Sequence, residues 1–244
     1  MTEKKAILMC AGAYEPMEIP VRPGDLVVAV DAGLSRLLAQ GIAPDLVLGD
    51  FDSLEKKYAP YLEALERKHP EKLLRLPCEK DDTDTVYAAK VCLERGYRKI
   101  IIYGALGGRL DHTIANIQTL AFLREQGVFG YMLEKRPDKG VWRTTLVSVL
   151  RGERVLLPGE FEGTFSLFAL DSCLKGVTLE GMKYPLHDAE LTNAFPLGVS
   201  NEVSRAPENR AASVQVREGL ALMILDSEQG ERVLSPSKIE RRTL

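Results

Sequence analysis

The sequence predicts an α/β domain with a mainly parallel sheet, followed by an all-β sandwich. Three observations carry this expectation. Short, continuously apolar runs alternate with helical patterns through roughly the first 135 residues, the pattern of parallel strands covered on both faces. From about residue 140 the helical period stops, and short strands separated by Gly and Pro turns take over. Acidic residues collect just after the apolar runs of the first half, where an open α/β sheet binds its ligands.

Taken in order, residues 6–10 (Ala-Ile-Leu-Met-Cys) read as a buried strand ended by Ala11-Gly12. Residues 26–30 form a second strand, ended by Asp31-Ala32-Gly33. A short helix spans residues 34–40, with Gly41 as its stop. Residues 46–48 are a third strand, ended by Gly49-Asp50-Phe51-Asp52-Ser53, and a polar helix follows near residues 55–68. A fourth strand, residues 73–76, leads into Lys80-Asp81-Asp82-Thr83-Asp84. Val86, Ala89, Lys90 and Leu93 then recur at helical spacing, with Asp82 or Thr83 as N-cap. Residues 99–103 are a fifth strand, ended by Gly104-Ala105-Leu106-Gly107-Gly108. A helix starts at Asp111, with Ile114, Ile117, Leu120, Ala121 and Leu123 expected on its buried side.

In the second half, residues 145–149, 154–157, 164–170, 176–179, 212–217 and 220–225 read as short strands, and no helix is evident. Arg136-Pro137-Asp138-Lys139-Gly140 is the linker or turn at the boundary. The expected division is thus an α/β domain over residues 1–136 and a β-sandwich over 140–244, with a polar, frayed tail from residue 235.

Composition narrows the function classes. The chain of 244 residues is 45% apolar and 27% charged, enough apolar surface for a packed core. With 32 Lys and Arg against 35 Asp and Glu, the net charge of −3 argues against a general nucleic-acid binder. No apolar run reaches the roughly 20 residues needed to cross a membrane, and the first residues read as a strand rather than a secretion signal. The four cysteines, Cys10, Cys78, Cys92 and Cys173, are far apart, and only three histidines are present. That excludes a CxxC zinc site and fits small buried thiols in a reducing cytoplasm.

The chemistry sits at the strand ends. Asp31 follows the second strand, Asp50 and Asp52 the third, Asp81, Asp82 and Asp84 the fourth, and Asp111 the fifth and its glycine-rich loop. Parallel strands bring these carboxylates onto one rim. Carboxylates brought together raise one another's pKa values unless a cation intervenes. Mg²⁺, held by a few carboxylates, water and substrate phosphates, is the natural cation. Asp50 and Asp52 can flank one ion with Phe51 turned into the core. Each Asp can instead cap a helix or close a turn, and Asp82 suits a cap best. The loop at residues 104–108 has neither the P-loop nor the GxGxxG spacing, but its glycines let backbone N–H groups approach a phosphate. Arg109 and His112, beside Asp111 at a helix start, favour an anion. His69 and His187 read as surface residues. These features alone imply Mg²⁺-dependent chemistry on a phosphorylated ligand.

In this order the motifs resemble the thiamine pyrophosphokinase family. The match runs through Asp31-Ala32-Gly33, Gly49 to Ser53, Lys80 to Asp84, the block from Gly104 to His112, Gly181-Met182-Lys183-Tyr184-Pro185-Leu186 and Ser200-Asn201. The resemblance implies an N-terminal domain for ATP and Mg²⁺ and a C-terminal sandwich. It also implies a homodimer with thiamine between one subunit's α/β domain and the partner's sandwich. The implied reaction moves the terminal pyrophosphoryl group of ATP to the thiamine hydroxyl, giving thiamine diphosphate and AMP. By resemblance, Asp50 and Asp52 are metal ligands, and Asp81, Asp84 and Asp111 are candidates for further ligands or orienters, Asp84 being counted with the metal. Asp31, Gly33, Thr83, Arg109 and His112 belong to the nucleotide side. Ser200 and Asn201 offer hydrogen bonds to an aminopyrimidine, and Tyr184 stands where some relatives carry Trp, suited to stacking on a cationic or aromatic ring.

Two other readings compete. Asp50-Phe51-Asp52 also resembles the motif of aspartyl-phosphate phosphatases, in which the first Asp is a nucleophile. That fold places the motif after its first strand, whereas here it follows the third. A nucleotide sensor with a β interaction module is the non-enzymatic alternative, against which so many gathered carboxylates argue.

Overall fold

The computed structural model describes residues 4–51, 54–77, 82–203 and 211–244. The chain divides into two compact units, Met1–Met132 and Leu133–Leu244.

Five strands of the first unit are β1 (Ala6–Met9), β2 (Leu26–Val30), β3 (Leu46–Gly49), β4 (Leu73–Arg75) and β5 (Lys99–Tyr103). They pair in parallel in the order β4-β3-β2-β1-β5. β1, β2 and β3 are buried along their whole length, as the unbroken apolar runs require of a sheet covered on both faces. The strand order carries the functional consequence. The chain steps outward from β1 to β4, then returns to place β5 on the other side of β1. The reversal leaves a switch point between β1 and β5, where an open α/β sheet forms its ligand crevice.

The helices are α1 (Gly33–Ala39), α2 (Ala59–Lys68), α3 (Asp84–Glu94) and α4 (Leu110–Glu125). Thr83 is the N-cap of α3, its hydroxyl accepting from the Val86 N–H at 3.3 Å. Asp82 instead pairs with Lys90 at 2.6 Å. α4 differs from expectation. Ile114 is half exposed, and the buried stripe is Asn116, Thr119, Leu120 and Leu123. Leu120 and Leu123 are buried as expected, Ile117 and Ala121 only partly. The stripe keeps the i, i+3/i+4, i+7 spacing of a packed face, but its N-terminal members are polar, so apolar periodicity alone misplaces that end of the face. Asn116 meets the cost of burial by donating to the Ala105 carbonyl at 2.7 Å.

Strand β6 (Phe129–Asp138) runs through the point where the two units divide in sequence. The expected linker at residues 136–140 forms the end of β6 and the turn into β7 (Val141–Leu150), with Lys139 and Gly140 both at positive φ, as a tight hairpin requires.

The second unit continues with β8 (Glu153–Leu156), β9 (Gly163–Ala169), β10 (Cys173–Glu180), β11 (Leu186–Thr192), β12 (Asn201–Val203), β13 (Ser213–Val216), β14 (Ala221–Ser227) and β15 (Glu240–Thr243). β12-β9-β14-β7 and β11-β10-β13-β8-β15 are two antiparallel sets. Phe165, Leu167, Leu174, Val177, Leu179, Val214 and Val216 form much of the core of this unit. The tail expected to fray does not. Residues 240–243 pair with β8, and Arg241 is buried against Glu153. An edge strand held through charged side chains leaves no apolar alternation to read. Among the described residues, no helix is long and apolar enough to cross a membrane.

Candidate active site

The acidic rim is built from the carboxyl ends of β2 and β3 and the start of α3. Asp31, at φ +49°, directly follows β2, and its backbone N–H donates to the Leu48 carbonyl at 2.9 Å. Its carboxylate Oδ1 accepts the Asp50 N–H at 3.1 Å. Gly49, at φ +143°, passes so close to that carboxylate that a Cβ would overlap it. A glycine is therefore required before Asp50 on both conformational and steric grounds. Asp84 reaches Asp31 by a hydrogen bond from the first turn of α3.

This convergence has an electrostatic signature. Burial, then the charge of Asp84 and the hydrogen bond with it, then the charge of Asp50 push the Asp31 carboxyl up to about 7. The native chain then binds more protons than the unfolded one between the unfolded value of about 3.9 and 7, so stability falls as pH rises through that window. Asp31→Asn, which retains the acceptor for Asp50, is expected to flatten that fall and raise the melting temperature at pH 8. A melting profile against pH that matches the wild type would remove this account of the cluster.

Asp52 and Asp81 lie outside the described residues. Among the described residues, no three His, Cys, Asp or Glu side chains come together closely enough to hold an ion. Asp111 stands apart from the Asp31 cluster in its partners. Arg109 forks onto it, Nε to Oδ1 at 3.2 Å and Nη2 to Oδ2 at 2.6 Å, and holds it below the usual carboxylate range. Its Oδ1 also accepts the His112 N–H at 3.0 Å. Arg109, Asp111 and His112 are all exposed at the start of α4.

Gly33 and Thr83 have local work that the motif alone did not show. A Cβ on Gly33 would overlap the Met9 carbonyl, so this glycine lets α1 start hard against β1. Thr83 caps α3 and so aims Asp84. The glycine-rich loop after β5 takes the backbone freedom expected of it, with Gly104, Gly107 and Gly108 all at positive φ. Phe51 is a correction: at φ +63° it is half buried, with the Arg75 guanidinium 5.6 Å from its ring centre, rather than turned into the core. Cys10 is no nucleophile. Burial pushes its thiol up to about 12, against the pull of its hydrogen bond to Thr85.

In the second unit Tyr184, Ser200 and Asn201 form one constellation. Asn201 is buried and clamps the Tyr184 backbone twice, Nδ2 donating to the Tyr184 carbonyl at 2.7 Å and Oδ1 accepting its N–H at 3.0 Å. Tyr184 is left 57% exposed, with the Lys183 ammonium 5.4 Å from the centre of its ring. Ser200 is exposed at φ +56°, its N–H held by the Ser166 hydroxyl at 3.0 Å. Sequence reading paired these residues but missed that Asn201 presents Tyr184 through backbone contacts. A buried Asn, like Asn116, is recognisable only once its helix or strand phase is known.

Two family models, described as thiamin pyrophosphokinase, catalytic domain, and thiamin pyrophosphokinase, vitamin B1 binding domain, match residues 21–129 and 154–221. Thiamine pyrophosphokinase of Bacillus subtilis (strain 168) is 32% identical over 182 residues, covering 73% of this chain and 78% of the relative. The chain belongs to the thiamine pyrophosphokinase family. Thiamin pyrophosphokinase 1 of Caenorhabditis elegans is 29% identical over 189 residues, covering 72% of this chain and 71% of its own length. The crystal structure of thiamine pyrophosphokinase from Bacillus subtilis superposes with a TM-score of 0.74 at 26% identity, covering 92% of this chain and 99% of that one. A family member with this parallel sheet and these antiparallel β sets is a kinase-type transferase.

Proposed function

We propose that this member of the thiamine pyrophosphokinase family transfers the terminal pyrophosphoryl group of ATP to the hydroxyl of thiamine. The observation that carries the reading is the gathering of Asp31 and Asp50, at the ends of β2 and β3, with Asp84 at the start of α3; burial first, and then these two neighbouring carboxylates, push Asp31 up to about 7. In the transfer, the thiamine oxygen bonds to the β-phosphorus and the bond from that phosphorus to the α,β-bridging oxygen breaks. AMP leaves, and the hydroxyl proton passes to a carboxylate.

Neighbouring carboxylates are hard oxygen donors whose repulsion a cation relieves, the chemistry that suits Mg²⁺. The described carboxylates alone do not form a three-donor set, which Asp52, outside the described residues, would complete. Asp50, Asp52 and Asp84 would hold the ion, with Asp81 and Asp111 as further ligands or orienters. When bound, Mg²⁺ supplies neutralisation of the charge that develops on the phosphates. Asp31 fixes the Asp50 backbone, Thr83 fixes Asp84, and the Gly104–Gly108 backbone and Arg109 meet phosphate oxygens, with Gly33 and His112 lining the same side. The exposed Tyr184 ring would stack on thiamine, Ser200 would hydrogen-bond to it, and Asn201 would hold Tyr184 in place.

Residues 1–136 would thus handle nucleotide and metal, and residues 140–244 the acceptor. The protein would act as a cytoplasmic homodimer, with thiamine at the subunit interface. Phosphorus NMR of the products, with Mg²⁺, ATP and thiamine supplied, is expected to show AMP and thiamine diphosphate. ADP with thiamine monophosphate would overturn pyrophosphoryl transfer.

A further inference from the structure

We infer that Arg36 is a positioning residue: its guanidinium fixes the loop after β1 against the loop after β5 and so sets the width of the crevice at the switch point of the sheet. The kinetic consequence rests on the function proposed above, whereas the positioning itself does not.

Arg36 lies in the last turn of α1, the helix that follows β2; it hydrogen-bonds to the loop after β1, and the loop after β5 passes close to its guanidinium. Its Nη1 donates to the Cys10 carbonyl and its Nη2 to the Ala11 carbonyl, the latter at 2.8 Å. The guanidinium carbon lies 5.7 Å from the centre of the Tyr14 ring, within cation–π range. On the β5 side, Gly104 sits at φ +63°, and a Cβ there would stand 2.6 Å from both the Cys10 carbonyl oxygen and Nη1, so only glycine lets that loop come so close to the β1 loop and the cation bound to it. The two loops also touch directly, Gly12 N–H donating to the Gly104 carbonyl at 2.8 Å. α1 grips the first loop a second time, through Gln40 Nε2 donating to the Tyr14 hydroxyl at 2.8 Å.

The chemistry requires arginine. A planar fork can donate to two successive carbonyls in a fixed geometry; a lysine ammonium is a point charge with no such fork. Among the described residues Arg36 has no ion-pair partner. Its positive charge therefore remains at the strand ends where a polyphosphate is expected, in surroundings that screen it less than water does. Loop spacing and charge are set by the same group, beneath the glycine-rich loop whose N–H groups would meet the phosphates. Small displacements of such loops are costly, a 1 Å misplacement being worth up to about 10²-fold in rate.

The test uses Arg36→Met and Arg36→Lys in the full chain, with two readouts. In amide hydrogen exchange, Arg36→Met is expected to speed exchange about 10-fold or more at residues 11–14 and 104–108 and to leave β2 unchanged, with Arg36→Lys intermediate. In steady-state kinetics, the KM for ATP is expected to rise roughly 10-fold while that for thiamine stays within about twofold, again with Lys intermediate. Unchanged exchange in the two loops overturns the positioning role whatever the activity. Faster loop exchange with an unaltered KM for ATP overturns the claim about crevice width. Faster exchange throughout, β2 included, reduces Arg36 to a general structural residue and also overturns the inference. Should Arg36→Met fail to fold, Arg36→Lys decides by the same criteria. A wild-type chain that turns over neither ATP nor thiamine refutes the proposed function, and the exchange data still judge the positioning.

Discussion

Asp50→Asn is expected to lower kcat for thiamine diphosphate formation by about 10²-fold or more, the size typical of losing one preorganised charge at a reacting centre. The substitution is nearly isosteric, and the contact that locks this corner, Asp50 N–H to Asp31 Oδ1 at 3.1 Å, is made by the backbone and survives it. What disappears is a negative charge that the structure shows to be felt locally, since Asp50 is one of the groups raising Asp31. Two consequences should therefore appear together. Turnover falls, and the fall of stability with pH between about 4 and 7 becomes shallower because Asp31 loses a repelling neighbour. Differential scanning fluorimetry with and without Mg²⁺ provides a third readout: the stabilisation by the ion expected for the wild type should shrink in the variant. Near-normal kcat with undiminished stabilisation by Mg²⁺ would take Asp50 out of the metal site.

How much of this was legible beforehand follows from what each residue does. The parallel sheet was readable because β1, β2, β3 and β5 are unbroken apolar runs ended by glycine or aspartate, and burial on both faces leaves no other pattern. The acidic rim was readable for the same reason: once strands are parallel, their ends share an edge, where Asp31 and Asp50 fall and which Asp84 reaches from the start of α3. The partners of those residues were not readable. Asp111 looked equivalent to the others, yet its charge is matched locally by Arg109, two residues away, a geometry set by side-chain rotamers. Arg36 resembled any helix-surface cation, because its targets are backbone carbonyls contributed by another strand end. Phe51 looked like a core residue by hydrophobicity, but the positive φ that lets the chain turn after Gly49 points it elsewhere. β11, β12 and β15 are short or polar edge strands, whose existence depends on the neighbour they pair with.

Arg241→Met is expected to destabilise the second unit by about 3–5 kcal/mol, the usual consequence of leaving a buried charge without its partner. Both side chains of the Arg241–Glu153 pair are almost fully buried, at 4% and 1% exposure. The geometry is a two-pronged fork, Nε to Oε2 at 2.6 Å and Nη2 to Oε1 at 2.7 Å. Two more donors are used, Nη1 reaching the Ser148 hydroxyl at 3.1 Å and Nη2 the Val149 carbonyl at 2.6 Å. Removing Arg241 strands the Glu153 carboxylate in the core while β15 loses its anchor to β8. The pair taken together is worth less than this loss suggests, because burying both ions has its own desolvation cost. Arg241→Met combined with Glu153→Leu should therefore recover a substantial part of the stability, giving a coupling energy of about 1–3 kcal/mol in a double-mutant cycle followed by urea unfolding. A single-variant loss below about 1 kcal/mol would mean that the pair is solvated. The effect should extend beyond β15. β8 pairs with β13, β13 pairs with β10, and β10 ends where Gly181 turns the chain into the Tyr184 segment. Loss of the Arg241 anchor loosens the edge of the sheet that supports this turn, so amide exchange in β8 and β13 should speed up before that in β14, which belongs to the other set of strands.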